Sequence, residues 1–281
     1  MVTRGRYFEG EPCWADVTAP DMEAARRFYG AVFGWTFVAT RRELKDYVLC
    51  LKNDRPVAAL TSVSPRSGEP TVWNTYLNTA DADSAAERIQ GAGGGLLTAT
   101  TTTPDGSRML LASDPGGAAF GVWQPRGMVG SSLYGEPGAI TWAEVNTREP
   151  AAVDEFYRAV FGVQPLAWRD VPGEYPSDAP PEQTDMDYVV YTGGDDGPIL
   201  SGRLRLTADF GEIPAHWMIY FNVNDADSAA DRVAAAGGQV VAAPFDTPYG
   251  RMTVAADPNG AVLGLSAAAI ARSRLASWVQ T

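Results

Sequence analysis

Apolar and polar residues alternate along Glu11–Thr18, with Trp14 and Asp16 on one face and Ala15 and Val17 on the other, which predicts a β-strand. The period then lengthens. Met22, Ala25, Phe28, Tyr29, Val32 and Phe33 recur at helical spacing after Pro20–Asp21, and Gly34 stops the helix. Trp35–Ala39, Tyr47–Lys52 and Val57–Val63 read as three strands separated by polar or proline-containing turns. The same cycle restarts with a strand over Thr71–Thr79 and a helix over Ala82–Gln90 capped by Asp81. Strands Leu96–Thr100, Arg108–Ser113 and Ala118–Trp123 close it. Each cycle is a βαβββ module.

The whole pattern is then written again. Trp14–Ala15–Asp16, Phe28–Tyr29 and Phe33–Gly34 return 128 residues later as Trp142–Ala143–Glu144, Phe156–Tyr157 and Phe161–Gly162. WNTYLNTADADSAAER (73–88) returns as WMIYFNVNDADSAADR (217–232), and Ser107–Arg108–Met109 with Asp114–Pro115 returns as Gly250–Arg251–Met252 with Asp257–Pro258. A repeat this long is a duplicated domain, since solenoid units run to about 20–50 residues. The division expected is 7–126 and 138–268 for the two domains, a linker at 127–137, and a helical tail at 269–281. The copies differ most between their second and third strands. Tyr47 is answered by Tyr188, 141 residues on, so the second copy carries 13 extra residues in the stretch Ala167–Asp185, with Trp168, Tyr175 and four prolines. A loop of that length is either a binding lid or a solvated excursion.

Composition narrows the function classes. The net charge of −12 argues against nucleic acid; it would favour a cationic ligand, or simply reflects solvated acidic faces that keep the protein soluble. With only Cys13 and Cys50 there is no disulfide framework, no signal-like segment opens the chain, and no run is long enough to span a membrane. A cytoplasmic protein, monomeric or homodimeric, is expected. Gly91–Gly95 follows a helix rather than preceding one and is no phosphate loop; G-x-S-x-G and Cys-x-x-Cys are absent.

The run W-x-[DE], then P-D-x-x-A-x-x-F-Y-x-x-x-F-G-W, then D-P-x-G before a last strand, resembles the vicinal oxygen chelate superfamily of glyoxalase I, bleomycin-resistance proteins and extradiol dioxygenases. More narrowly, the tandem arrangement resembles two-domain glyoxalase-like "hydroxylase" proteins, some near antibiotic-biosynthesis pathways. The resemblance implies an α+β fold: tandem domains, each of two βαβββ modules forming an incomplete eight-stranded barrel around a cavity. It also implies a divalent metal held by His, Glu or Gln at four positions. Those positions fall on Pro12, Ala58–Leu60, Asn74 and Gly121 in one copy, and on Ile140, Ser201–Arg203, Met218 and Gly264 in the other. None suits a hard or borderline cation, so neither a metal nor another cofactor is expected.

Alternation leaves an inward lining of Trp14, Asp16, Asn74, Tyr76, Asn78 and Trp123 in the first copy. The second offers Trp142, Glu144, His216, Met218, Tyr220 and Asn222. Two readings follow. In one, Trp14, Asn74, Tyr76, Trp123, Trp142, Met218, Tyr220 and Asn222 hold a flat aromatic or polycyclic molecule, sequestering it or presenting it to a pathway enzyme. In the other, Asp16, Glu144, His216 and Tyr220 transfer protons in a metal-independent isomerase, lyase or hydroxylase-like reaction. The bland alternatives are that the tryptophans fill core, that Asp16 and Glu144 accept hydrogen bonds from backbone or from Arg108 and Arg251, and that His216 is a rim or strand-end residue making a hydrogen bond. Cys13, opposite in phase to Trp14, is expected under the helix. The longer loop and the Asn74/Met218 difference point to the second cup as the more specialised.

Overall fold

The computed structural model describes residues 4–39, 47–64, 71–171, 186–195, 197–247 and 250–267. The tail expected at 269–281 and most of the Ala167–Asp185 insertion lie outside them.

The first repeat runs β1 (Pro12–Ala19), α1 (Met22–Phe33), β2 (Thr36–Ala39), β3 (Tyr47–Lys52), β4 (Arg55–Ser62), β5 (Trp73–Asn78), α2 (Ala82–Gly91), β6 (Gly95–Leu96), β7 (Thr101–Thr102), β8 (Arg108–Ser113) and β9 (Ala119–Gln124). The second runs β10 (Ile140–Thr147), α3 (Pro150–Phe161), β11 (Gln164–Ala167), β12 (Tyr188–Thr192), β13 (Ile199–Arg205), β14 (His216–Asn222), α4 (Ala226–Ala235), β15 (Gln239–Thr247), β16 (Gly250–Ala256) and β17 (Val262–Ser266). Helix boundaries follow local chemistry: Asp21, Asp81 and Asp225 cap α1, α2 and α4 by accepting backbone N–H bonds, and Gly34 and Gly162 end α1 and α3 at positive φ. The strand expected over Leu96–Thr100 is broken into β6 and β7. The Thr98 hydroxyl accepts the Leu111 N–H, while Leu97 and Thr98 share one carbonyl, that of Leu111. This two-against-one arrangement interrupts the ladder.

Each repeat folds its two modules into one open sheet, ordered β2-β3-β4-β1-β5-β9-β8-β6 and β11-β12-β13-β10-β14-β17-β16-β15. The modules meet at an antiparallel seam, β1 on β5 and β10 on β14, so each sheet is built within one repeat. The helices lie between the two sheets and pack across repeats, α1 against α4 and α2 against α3. The core is therefore shared. Phe33, Trp35 and Trp73 of the first repeat pack on Phe221 of the second, and Phe120 packs on Phe156 and Tyr157.

The motifs that mark the repeat also join the copies. Tyr29 of the first Phe-Tyr pair donates to Asp257 at 3.0 Å, and Tyr157 of the second donates to Asp114 at 3.1 Å. Each D-P-x-G aspartate also closes its own turn by accepting backbone N–H groups, at Ala118 and Ala261. The segment between the sheets is no loose tether: Ser131 and Ser132 bond back to Cys13 and Pro56, and Leu133 is buried.

Cys13 does not pack under the helix. The β1 register shifts between Pro12 and Trp14, and that irregularity puts Cys13 in the first cup's cluster, its thiol directed to the Tyr76 carbonyl. Among the described residues no helix is long and apolar enough to cross a membrane.

Candidate functional site

The two cups carry the same polar constellation. In the first, Asp16 accepts from Tyr76 at 2.9 Å, Asn74 at 2.8 Å and Tyr47 at 3.5 Å, while Trp14 Nε1 donates to Tyr47 at 2.9 Å. In the second, Glu144 accepts from Tyr188 at 2.7 Å, Tyr220 at 2.8 Å and Trp142 Nε1 at 3.3 Å, and Trp142 also donates to Tyr188. Strand register explains the match, since Trp14 faces Tyr76 and Asp16 faces Asn74, just as Trp142 faces Tyr220 and Glu144 faces Met218. Glycines make room for the tyrosines. A Cβ on Gly121 would lie 2.1 Å from the Tyr76 ring, and one on Gly264 would lie 2.0 Å from Tyr220.

Burial sets the electrostatics. It pushes the Asp16 carboxyl up to about 6, against the opposing pull of the Asn74, Tyr76 and Tyr47 donors. Glu144 is raised for the same reason, with Tyr188, Tyr220, Trp142 and, least, His216 pulling it back. Burial, reinforced by the adjacent carboxylate, drives Tyr47, Tyr76, Tyr188 and Tyr220 well above the ordinary phenol range. These phenols stay protonated and act as donors. Arg108 and Arg251 do not reach the carboxylates: Arg108 pairs with Asp83, and Arg251 with Asp227 and Asp246.

The cups differ in what fills them. In the first, Trp14, Tyr76 and Trp123 are each under 5% exposed and cluster with Met109, Leu111 and Met128. Trp123 stands edge-on to Tyr76 and donates to the Met128 carbonyl. Over the second sheet lies a cavity of about 1430 Å³. Its walls include Trp142, Trp168, Tyr188, Met218, Tyr220, Met252 and Val254, with Val241, Phe245 and Val262 toward the rim; Thr71–Asn74, Gly117 and Ala119 come from the first repeat. Val72, Met186, Phe210, Ile213, Val241, Phe245 and Val262 line this cavity and are all large apolar residues that remain exposed. Exposed apolar residues gathered in this way are uncommon on an ordinary protein surface.

Of the residues singled out from the sequence, Trp142, Glu144, His216, Met218 and Tyr220 line the cavity, and Asn74 reaches it from the first repeat. Trp14, Asp16, Tyr76 and Trp123 form the packed floor of the other cup. Asn222 is not part of the cavity lining; it sits at the far end of β14, its backbone bonded to Gly138 and Ala139. His216 opens β14 and is hydrogen-bonded there: Nδ1 lies 2.8 Å from the Pro214 carbonyl and Nε2 lies 3.1 Å from Asn146 Nδ2. Tyr47, Tyr188 and Asn146 were missed, although the tyrosines open equivalent strands in both copies and Asn146 shares a face with Trp142 and Glu144.

A family metal does not fit these donors. Register places Trp14 and Asp16, not Pro12, beside Asn74 and next to the Tyr76–Gly121 pair, so each cup offers a single carboxylate. That carboxylate is already bonded to phenols, and Gly121 and Gly264 supply no donor. Among the described residues no group of three or more His, Cys, Asp or Glu side chains is placed to hold a metal ion.

Two tandem cups of paired βαβββ modules define a class, and the family model for the Glyoxalase/Bleomycin resistance protein/Dioxygenase superfamily matches residues 14–122 and 139–265; the chain belongs to this superfamily. Among its relatives, CFP32 of Mycobacterium tuberculosis, which carries a glyoxylase name, is 33% identical, the match covering 94% of this chain and 97% of that one. DnrV, an anthracycline biosynthesis protein of Streptomyces peucetius, is 32% identical over 91% of this chain and 92% of its own. The fold matches the Mn(II)-bound glyoxalase of Novosphingobium aromaticivorans with a TM-score of 0.61 at 15% identity, covering 92% of this chain and 82% of that one.

Proposed function

We propose that the second cup binds a flat aromatic or polycyclic small molecule without a metal, in an antibiotic-type biosynthetic or resistance setting. One observation carries this: a cavity of about 1430 Å³ with mainly apolar walls, aromatic in part through Trp142, Trp168, Tyr188 and Tyr220, and polar groups that include Glu144, Asn146 and His216. Planar ligands suit such walls because aromatic faces gain contact area with little loss of side-chain freedom. The kinship with an anthracycline biosynthesis protein supports a polycyclic ligand. Trp142, Trp168, Tyr188, Met218 and Tyr220 are the contact residues of this reading. Two buried free cysteines suit a reducing compartment.

The test is a thermal-shift and equilibrium-binding panel of planar polycyclic compounds, an anthracycline among them, with elemental analysis of the same protein. Saturable binding without stoichiometric metal supports the proposal. Stoichiometric manganese, zinc, nickel or iron, or no binding across the panel, overturns it.

A second reading rests on Glu144 itself, a buried carboxyl whose affinity for protons is raised and which touches two phenols facing the cavity. Such a group can exchange a proton with a bound ligand, Tyr220 or Tyr188 relaying it. Glu144→Gln should then abolish turnover of a bound compound while leaving its affinity nearly unchanged. Unchanged turnover would remove this role.

A further inference from the structure

We infer that the cavity holds a second subsite, over β15–β17, for a flexible aliphatic substituent carried on the aromatic ligand; this rests on the small-molecule reading of the second cup. Strand register lines up Trp142, Tyr220, Gly264, Val254 and Ala242 in one row across β10, β14, β17, β16 and β15. All but Gly264 line the cavity, and the Tyr220 ring lies over that glycine. Residues paired across strands share a face, so the row is one continuous strip along the cavity. At about 4.8 Å per strand its four steps span roughly 19 Å.

The strip changes character along its length. At the β10 end stand the indoles of Trp142 and Trp168 and the phenols of Tyr188 and Tyr220. Beyond Gly264 the lining is mostly aliphatic, with Val241, Ala242, Met252, Val254 and Val262, and Phe245 is the one aromatic ring on these strands among the described lining residues. The polar side chains of this wing are already engaged: Asp246 accepts from Arg251, and the Thr247 hydroxyl donates to the Gly250 carbonyl. Val241 and Val262 remain 52% and 44% exposed, so a group laid over them removes apolar area from water.

The first repeat shows what such a wing accepts. Met109 and Leu111 stand there in the places of Met252 and Val254, and they cluster with Trp123 and Met128, an indole and an unbranched side chain. In the second repeat Ser266, not a tryptophan, pairs with the methionine, and Met252 and Val254 line the cavity instead. A rigid ring system lying against Trp142 cannot also follow a twisted sheet over four strand steps, whereas an unbranched chain can. The volume agrees: about 1430 Å³ exceeds the roughly 300–1,000 Å³ usual for a drug-sized ligand. The ligand class is therefore a flat aromatic body bearing an alkyl or alkenyl chain.

The probes are 2-naphthol and its 6-ethyl, 6-butyl and 6-hexyl derivatives, with 6-phenyl-2-naphthol as a rigid counterpart of the hexyl compound. Equilibrium titration of the whole protein should show affinity rising about two- to fourfold per methylene, as expected for a buried methylene after some loss of chain freedom. The hexyl compound should bind more tightly than the phenyl one. Joint replacement Val241→Gln and Val262→Gln, at two exposed positions, should flatten the rise and leave 2-naphthol itself unchanged. Trp142→Ala should weaken every member by a similar factor and keep the rise. No rise in the wild type, the same rise in the double variant, or a phenyl compound that equals the hexyl one overturns the aliphatic subsite while leaving the aromatic cavity intact. If no naphthyl or larger polycyclic compound binds at all, the binding function itself falls.

Discussion

The two cups are the same device in two states of occupancy. Both place a buried carboxylate under two phenols and an indole, and both use a glycine on the neighbouring strand to seat the inner tyrosine. In the first, Trp123 stands edge-on to Tyr76 and, among the described residues, both are buried; Trp14 is 1% exposed. In the second, the residue paired with Asn222 on the last strand is Ser266 rather than a tryptophan, Tyr220 faces the cavity, and Trp142 is 8% exposed. The difference teaches that the constellation does not by itself mark a functional site. What sets the second cup apart is the space above it.

Replacing the indoles gives the largest expected contrast. Trp14→Ala removes a fully packed side chain and should cost about 3–5 kcal/mol of stability without touching ligand affinity. Trp142→Ala, at a cavity wall, should cost less stability and weaken ligand binding severalfold. Denaturant titration with a binding curve on each variant separates the two; equal losses of affinity would dissolve the distinction between the cups.

The carboxylates follow. Asp16 is held near 6 in the folded protein against an ordinary value of 3.8, so it favours folding when protonated. That contribution is fully present below the ordinary value and is lost as pH rises through about 6, on the order of 3 kcal/mol in all. Asp16→Asn should therefore compare better with wild type at about pH 7 than at about pH 4. Glu144→Gln should show the same sign, Glu144 being raised too. Urea midpoints at the two pH values check this, and a gap that does not move with pH would contradict it.

Much of this architecture is legible in the sequence. Aspartate caps, glycine stops and the switch between two-residue and helical periods set the helices and most strands, and alternation puts Asp16 and Glu144 on the inward face. The rest depends on long-range geometry. Tyr29 and Asp257 are 228 residues apart, so nothing local shows that the motifs carrying the family resemblance are clamps between repeats. Cys13 was misplaced because a strand irregularity breaks the alternation that its assignment assumed. Tyr47 and Tyr188 escaped notice because each follows a variable link, and only pairing across strands brings it to its carboxylate. The resemblance implied a cavity in each domain; which residues of both repeats line the one over the second sheet depends on packing that no local pattern shows.

The clamps supply a smaller effect that should be alike in both halves. Tyr29→Phe and Tyr157→Phe each deprive a buried aspartate of a donor, and each should cost about 1–3 kcal/mol. The Trp217 indole also loses its acceptor at Tyr157. Thermal unfolding should stay a single transition in both variants, because the core is shared between repeats; two separate transitions would contradict the shared core. Smallest of all, Met218→Asn would give Glu144 the donor that Asn74 gives Asp16. It should lower the proton affinity of Glu144, read as an earlier carboxylate titration by infrared or NMR; no change would mean that the cups are less alike than their registers suggest.

A crystal structure of the protein soaked with a polycyclic aromatic compound that binds in solution tests the central claim most directly. The account predicts density over the second sheet, its ring system against Trp142 and Trp168, with the first cup unchanged. Density in the first cup, or a ligand held through a metal ion, would contradict it.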